Sequence, residues 1–428
     1  MKQGSLTTAD LAGWVEALST LQLDVSDAEH IDRLRLLENV KGAIAAAQAR
    51  EAVALQRSVV AAEAEQGVPA GKRGRGVAAQ VALARRESPH RGDRLMGLAH
   101  ALVGELPATM AALTRGEISE WRATLVCRET ACLSVADRRE VDHRLTASLP
   151  GLSDRHLAAA ARRAGYELDP HALVNRAARA VADRRVTIRP APDTMAIVSA
   201  LLPVAQGVAV YAALTRAADT ARATGDPRSR GQVMADTLTS RTTGQSHPDQ
   251  VPVELQLVMT DTTLFAGRPI PADIIGYGPL PAGMARYLLA TLNPETAIWL
   301  RRLYTDPRTG QLIAMESKRR HFPTPLRRFF LARDQLCRTP WCGAPIRHAD
   351  HVQPHHTGGP TTAANGQGLC ERCNQNKEAT GWGAAPHADG TITTTTPTGH
   401  QYHSQAPPRL QLIQRLRIDI PPSHIDVA

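Results

Sequence analysis

Aromatic residues are scarce in this chain: Phe, Trp and Tyr together make up 4% of its 428 residues. Apolar content rests instead on Ala and Leu, which argues against a sheet-rich fold and for helices. Long apolar runs are also missing. The nearest, "AIVSALLPVAQGVAVYAAL", is interrupted by Pro203, Gln206 and Gly207, so it excludes itself as a bilayer span. The start, "MKQGSLTTADLAGW", has no basic-then-apolar signal pattern. A cytoplasmic protein with no membrane partner is therefore expected. Six cysteines in so long a chain are too few for a disulfide framework in that compartment. The length suits about two to four domains.

What is present is helix-forming sequence and a concentrated positive charge. Ser26 to Glu29 fits a capping box ahead of a helix with Ile31, Leu34, Leu37, Lys41 and Ile44 on one stripe. "GVPAGKRGRG" (67–76) reads as a flexible basic linker or loop. Two helices flanking "RESPHRG" raise a helix-turn-helix, with plain helix packing as the alternative. In the middle, "RRVTIRP" and "TMAIVSALLP" read as strands around a "PAPD" turn. Helices follow, with "TTGQSHPDQ" as a polar loop, "VPVELQLVMT" as a strand and "GYGPLPAG" as a connector into a helix. Arg228 and Arg230 read as solvated loop arginines. From about Arg320 the sequence reads as loop-rich. "APHADGTITTTTPTGHQYH" suggests a hairpin with an Asp-Gly turn, and an appendage follows from Pro407.

The net charge of +9 is not spread evenly. Arg301 to Arg347 holds 11 Lys/Arg against 3 Asp/Glu, leaving the rest almost neutral. A focused basic stretch is an electrostatic footprint for a polyanion. This one leads directly into cysteines and histidines, which favours nucleic acid over a merely solvated face. Cys337 and Cys342, then Cys370 and Cys373, are pairs at the spacing of one tetrahedral Zn²⁺ site. Four thiolates close the shell, so this zinc would be structural and would supply folding energy to a segment with few apolar residues. Cys127 and Cys132 lack a partner pair and read as small packing residues.

Between the cysteine pairs stand Asp350-His351, Gly358-Gly359 and Asn365. Asn374 and Lys377 follow. "ADHVQPHHTGGPTTAANGQGLCERCNQNK" resembles the HNH endonuclease motif of the ββα-metal nucleases. The wider chain is similar to a bacterial family that joins a helical N-terminal region, the domain of unknown function 222, to a C-terminal HNH domain. "LPATMAALTRGEIS", "IIGYGPLP" and "RRLYTDPRTGQLI" carry that similarity. The resemblance implies an α+β, mostly helical architecture. A helical region (1–180) is expected first, then a small mixed α/β region (181–300), a basic lead-in with the nuclease domain (301–385), and a hairpin and tail (386–428). A strand would end at Asp350-His351, and a helix would begin near Leu369.

The implied activity is metal-dependent hydrolysis of DNA phosphodiester bonds, giving 5′-phosphate and 3′-hydroxyl products. His351, with an ordinary pKa of about 6.5, would be the general base. Asn365 would orient its imidazole by a hydrogen bond. Asp350 and Asn374 offer oxygen ligands to Mg²⁺ or Mn²⁺. Asn374 stands where the motif's name has histidine, which leaves metal preference open. Lys377, Arg338, Arg347 and His356 are the candidate DNA contacts, each against a plain surface role. His355 and His348 read as solvated or structural, Gly358 and Gly359 as turn formers, and Trp341 and Trp382 as packing residues. Two other functions compete: a zinc-stabilised nucleic-acid-binding module that does not cleave, and an assembly domain in which the helical region self-associates.

Overall fold

The computed structural model describes residues 6–193, 195–244, 257–259, 263, 267–275, 277–290, 304–305, 312–313 and 321–407. The "TTGQSHPDQ" loop beyond Gly244, most of "VPVELQLVMT", most of Arg301–Arg320 and the tail after Pro407 lie outside them. The architecture is mostly helical with small sheets. Among the described residues no single helix is long and apolar enough to cross a membrane. The chain divides into two compact units, Met1–Ala61 with Leu95–Asn175, and Ala62–Arg94 with Arg176–Ala428.

In the first unit, α1 (Thr8–Ser19) is closed by a capping box between Thr7 and Asp10. Helix α2 (Asp27–Glu65) starts where Ser26 accepts a hydrogen bond from the Glu29 amide at 3.3 Å. Its expected apolar stripe is not its buried face: Ile31 and Leu34 are exposed. The buried face begins at Gly42 and continues through Ala45, Ala46, Ala49 and Ala52. Close approach demands small residues there, because a Cβ on Gly42 would stand 2.7 Å from the Ile118 carbonyl. Further on, α5 (Pro107–Thr114), α6 (Glu120–Thr130), α7 (Val135–Leu145) and α8 (Asp154–Leu168) pack together. Asp142, fully buried on α7, accepts from the Ala108 amide at 2.6 Å and the Thr109 amide at 3.0 Å. A carboxylate thus satisfies the orphan amides at the start of α5. Burial pushes the Cys127 thiol up, as suits a packing residue.

The second unit includes α3 (Val77–Ala84) and the start of α4 (Pro89–Gly104). The stretch 67–76 is a loop of turns closed by hydrogen bonds. Arg73 Nε donates to the Val68 carbonyl at 2.7 Å, and the Gly74 amide to the Glu63 carboxylate at 2.5 Å. Gly76 has φ +86°, and a Cβ there would meet the Trp382 indole. At the helix pair, Gly92 crosses directly over Ala78 and Ala82, with no space for a side chain. That contact is plain packing.

After α9 (Pro170–Ala180) the two middle strands form as expected. β1 (Arg185–Pro190) and β2 (Ala196–Leu201) are antiparallel, with Arg185 opposite Leu201. α10 (Val204–Ala223) and α11 (Arg230–Thr243) come next. Arg228 is an exposed loop residue as expected, paired with Asp226 and Asp236; its guanidinium holds the Asp226 carboxyl down at about 2. Short antiparallel strands β3 (Leu257–Val258), β4 (Ala272–Ile274) and β5 (Gly278–Leu280) precede α12 (Ala282–Ala290), and β6 (Tyr304–Thr305) pairs with β7 (Leu312–Ile313).

The segment read as loop-rich contains a helix, α13 (Thr324–Asp334). It buries Leu326, Phe329 and Phe330 with Phe322 in a small core. Next, strand β8 (His348–His351) pairs antiparallel with β9 (Gly366–Leu369), His351 opposite Gly366. Helix α14 (Glu371–Lys377) follows directly. A Cβ on Gly366 would overlap the Phe330 ring, so α13 lies flat on β9 only because that residue is glycine. The expected hairpin is instead a three-stranded meander, β10 (Gly383–Pro386), β11 (Ile392–Thr395) and β12 (Gln401–Ser404), because "PTG" makes a second turn.

A buried charge cluster joins these pieces. Asp334 takes Arg333 in a bidentate pair at 2.7 and 2.9 Å, Arg338 at 3.3 Å and the Gly368 amide at 2.8 Å. Arg333 continues to the Ala363 and Gly366 carbonyls, and Arg338 to those of Gly390 and Ser404. Removing one partner of such a cluster strands buried charge. Asp334→Ala is expected to destabilise the second unit by about 3–5 kcal/mol. Urea unfolding would read this as a lower midpoint, and an unchanged midpoint would refute the account.

Candidate active site

A cleft of about 560 Å³ opens beside the end of β8. Its walls are His321 and Phe322 ahead of α13, Asp350 and His351 on β8, Pro354, His355 and His356 on the following loop, and Lys377 and Glu378 at the end of α14. Strand alternation alone would send these two neighbours to opposite faces of the sheet. Asp350 and His351 are the last residues of β8, where the chain leaves the sheet and both side chains reach the rim.

His351 is half-buried. Its Nε2 lies 2.9 Å from the Thr361 hydroxyl, and Thr361 is itself buried. The Phe322 ring lies against the imidazole, centroids 4.3 Å apart and planes tilted by 33°. The His355 ring approaches edge-on at 5.7 Å. Burial lowers the imidazole's pKa against the opposing pull of Asp350, and His355, Lys377 and His321 lower it further. The ring therefore stays neutral, and able to take a proton, further into the acid range than a free histidine.

Lys377 is not the surface residue its sequence context suggests. Its ammonium pairs with Asp350 Oδ2 and donates to the His351 carbonyl at 2.7 Å, and its side chain is 12% exposed. Asn365 is buried, and it grips a loop rather than the imidazole. Its Oδ1 accepts from the Gln353 amide at 2.9 Å, and its Nδ2 donates to the Gln353 and Pro360 carbonyls at 3.0 and 2.8 Å. The loop carrying His355, His356 and the glycine pair is thus closed at its neck. Gly359 allows this closure, because a Cβ there would overlap the Gln353 carbonyl. Asn374 is half-buried one turn before Lys377 on α14 and is not among the cleft's lining residues.

Among the candidate DNA contacts, His356 is exposed on the cleft wall and Arg347 is exposed just before β8. Arg338 is a correction: its side chain is 3% exposed and committed to Asp334 and two carbonyls, so it cannot meet a phosphate. His348 is exposed at the start of β8. Trp341 packs edge-on against Tyr402, and Trp382 sits at the Gly76 turn. Sequence reading missed Thr361, Phe322 and His321. The signal for α13, which brings Phe322 and His321 in, was present in Leu326, Phe329, Phe330 and Arg333 at helical spacing after a proline.

The four paired cysteines converge as their spacing required. Their sulfurs all lie within 4.8 Å of one another. Cys342 Sγ is 3.7 Å from Cys370 Sγ and 3.6 Å from Cys373 Sγ. A disulfide needs about 2.0 Å between sulfurs. Tetrahedral bonds of about 2.3 Å to one metal ion place them about 3.8 Å apart. The cluster therefore has the dimensions of a Cys₄ metal site, and zinc is the ion its donors suit. Hydrogen bonds from Cys337 and then Cys342 hold the Cys370 thiol well below its ordinary value. Cys370 also caps α14, so the metal site fixes the helix that carries Lys377.

Comparison with known proteins agrees with this arrangement. The model of a family described as "Domain of unknown function (DUF222)" matches residues 41–334, and that of "HNH endonuclease" matches residues 337–380. A Mycobacterium tuberculosis protein, described as "Uncharacterized protein Rv3776", is 37% identical over 90 residues. That match covers 20% of this chain and 17% of the relative's length. No solved structure matches.

Proposed function

The chain belongs to the DUF222 family and carries an HNH endonuclease domain behind it, and on that premise we propose that it is a metal-dependent endonuclease that hydrolyses DNA to 5′-phosphate and 3′-hydroxyl ends. The observation that carries this reading is a half-buried His351 anchored at the rim of an open cleft beside the Asp350 carboxylate. An HNH domain implies a nucleic-acid substrate.

The Asp350 carboxylate suits the cation that such chemistry uses. Asp350 presents a hard oxygen ligand to an open cleft, the kind of site in which Mg²⁺ or Mn²⁺ keeps most of its waters. Asp350 would hold the ion, with the Asn374 amide oxygen as the proposed second ligand. When bound, the cation would neutralise charge developing on the phosphate and on the 3′ leaving oxygen. The chain's own part begins with His351, which takes the proton of a water at Nδ1 while Nε2 stays with Thr361. Lys377 keeps the Asp350 carboxylate in place. His355 and His356 face the entering phosphate from the loop that Asn365 closes. The Cys₄ site takes no part in the chemistry; it holds α14 and β9 together.

The pairing of Lys377 with Asp350 also favours a second reading, a nucleic-acid-binding module whose metal position is filled by its own ammonium. Supercoiled-plasmid nicking by the whole protein with Mg²⁺ or Mn²⁺ separates the two. Nicking is the expected result. Intact plasmid across pH and salt, alongside retained DNA binding, would select the binding module. In either case the contacts are expected to be phosphate-directed. Three such contacts would cost about 40-fold in affinity between 50 and 200 mM salt. A salt-independent affinity, measured by fluorescence anisotropy, would contradict this.

A further inference from the structure

We propose that Thr361, rather than Asn365, is the positioning residue for His351, and that its hydroxyl fixes the imidazole with Nδ1 facing the reacting water. The proposal rests on the endonuclease reading for its catalytic consequence. Its structural content stands independently.

Two constraints are needed to hold an imidazole still. One must stop it tilting, and one must stop it spinning about χ2. The Phe322 face, 4.3 Å away, supplies the first. Phe322 is itself braced by an edge-on contact with Phe330 at 4.9 Å. The Thr361 hydroxyl supplies the second, through a bond of 2.9 Å to Nε2. Thr361 suits the task because a β-branched side chain has few χ1 choices, and this one is 4% exposed. Its backbone neighbour Pro360 is held by Asn365 through the carbonyl. Asn365 therefore acts at one remove: it places the loop, and the loop places Thr361.

A hydroxyl can donate or accept, so geometry alone leaves the tautomer to chemistry. A base must offer a lone pair to the water, and that pair must be on Nδ1 because Nε2 is engaged. The neutral ring then carries its hydrogen on Nε2 and donates it to Thr361 Oγ1. Deleting the hydroxyl frees the ring to rotate and to adopt the other tautomer. The fraction of molecules poised for attack falls, while substrate binding does not depend on it.

The test uses full-length protein and the substitutions Thr361→Val and Thr361→Ser, with zinc content and thermal melting confirming intact folds. Thr361→Val is expected to lower kcat for plasmid nicking by about 10–100-fold with KM near its original value. Thr361→Ser should recover kcat to within a few-fold. In parallel, ¹⁵N NMR of histidine-labelled protein should show His351 with Nε2 protonated, its signal identified by its loss in His351→Gln. In Thr361→Val that pattern should move toward a mixture of tautomers. An unchanged kcat and an unchanged nitrogen pattern in Thr361→Val would overturn the proposal. So would a valine defect that serine fails to restore. If the unmutated protein does not nick DNA, the endonuclease reading fails while the nitrogen pattern still decides this one: a shift in Thr361→Val supports it, and no shift overturns it.

Discussion

Replacing His351 with Ala is expected to cut plasmid nicking by about 10²–10⁴-fold while leaving zinc content and melting nearly unchanged. General-base catalysis by a positioned side chain contributes about that much, and His351 is the cleft histidine anchored to a buried hydroxyl. Lys377 is tied to Asp350 and the His351 carbonyl. His355 and His356 lie on the loop beyond Pro354, and Glu378 is exposed at the far end of α14. Losing a half-buried ring beside Phe322 leaves a gap open to the cleft, where water can enter, so the fold should tolerate the change. Asn365→Ala is the contrasting substitution. It removes three bonds that close the loop neck, so melting temperature and nicking should both fall. If His351→Ala nicked DNA as fast as the unmutated protein, the proposed chemistry would have to be abandoned.

The largest effect on folding is expected at the thiol cluster. Bound zinc in sites of this kind supplies an apparent free energy of about 10–16 kcal/mol at neutral pH. The local core around it consists of Cys337, Leu369, Cys370 and Cys373, with Cys342 and Ala344 against it. Without the metal, little apolar surface remains to hold β9 and α14 together. Cys373→Ala, or chelation of the unmutated protein, should render the region from Cys337 to Lys377 sensitive to protease. Far-UV circular dichroism should lose little, because most helix lies in α1 through α11. One zinc per chain by elemental analysis is the accompanying expectation. A chelated protein as protease-resistant as the original would show that packing alone suffices.

Local chemistry was the readable part of this sequence. Metal ligands in pairs are close in the chain, so the Cys337/Cys342 and Cys370/Cys373 cluster could be seen from spacing. Asp350 and His351 are adjacent, and their strand and the helix after Cys370 follow from short-range pattern. Partnerships across the loop were not readable. Asn365 looked like a ligand to the imidazole because nothing in the chain reveals that its amide meets Gln353 and Pro360. Thr361 was hidden in a threonine pair whose role depends on loop closure. Arg338 looked like part of a basic footprint because its counter-ion, Asp334, sits one helical turn back among other charges. In α2 the apolar stripe misled because an alanine and glycine face buries more closely than leucine can.

The Asp334 cluster also bears on how such proteins can be assembled from parts. The two family matches meet between residues 334 and 337, yet the ion pair from Asp334 to Arg338 runs across that seam. A nuclease piece transplanted from residue 337 onward would take Arg338 into its interior with no counter-charge, and would leave behind the Phe322 face on which His351 rests. A piece that begins ahead of His321 would keep both, and is expected to fold where one begun at residue 337 does not.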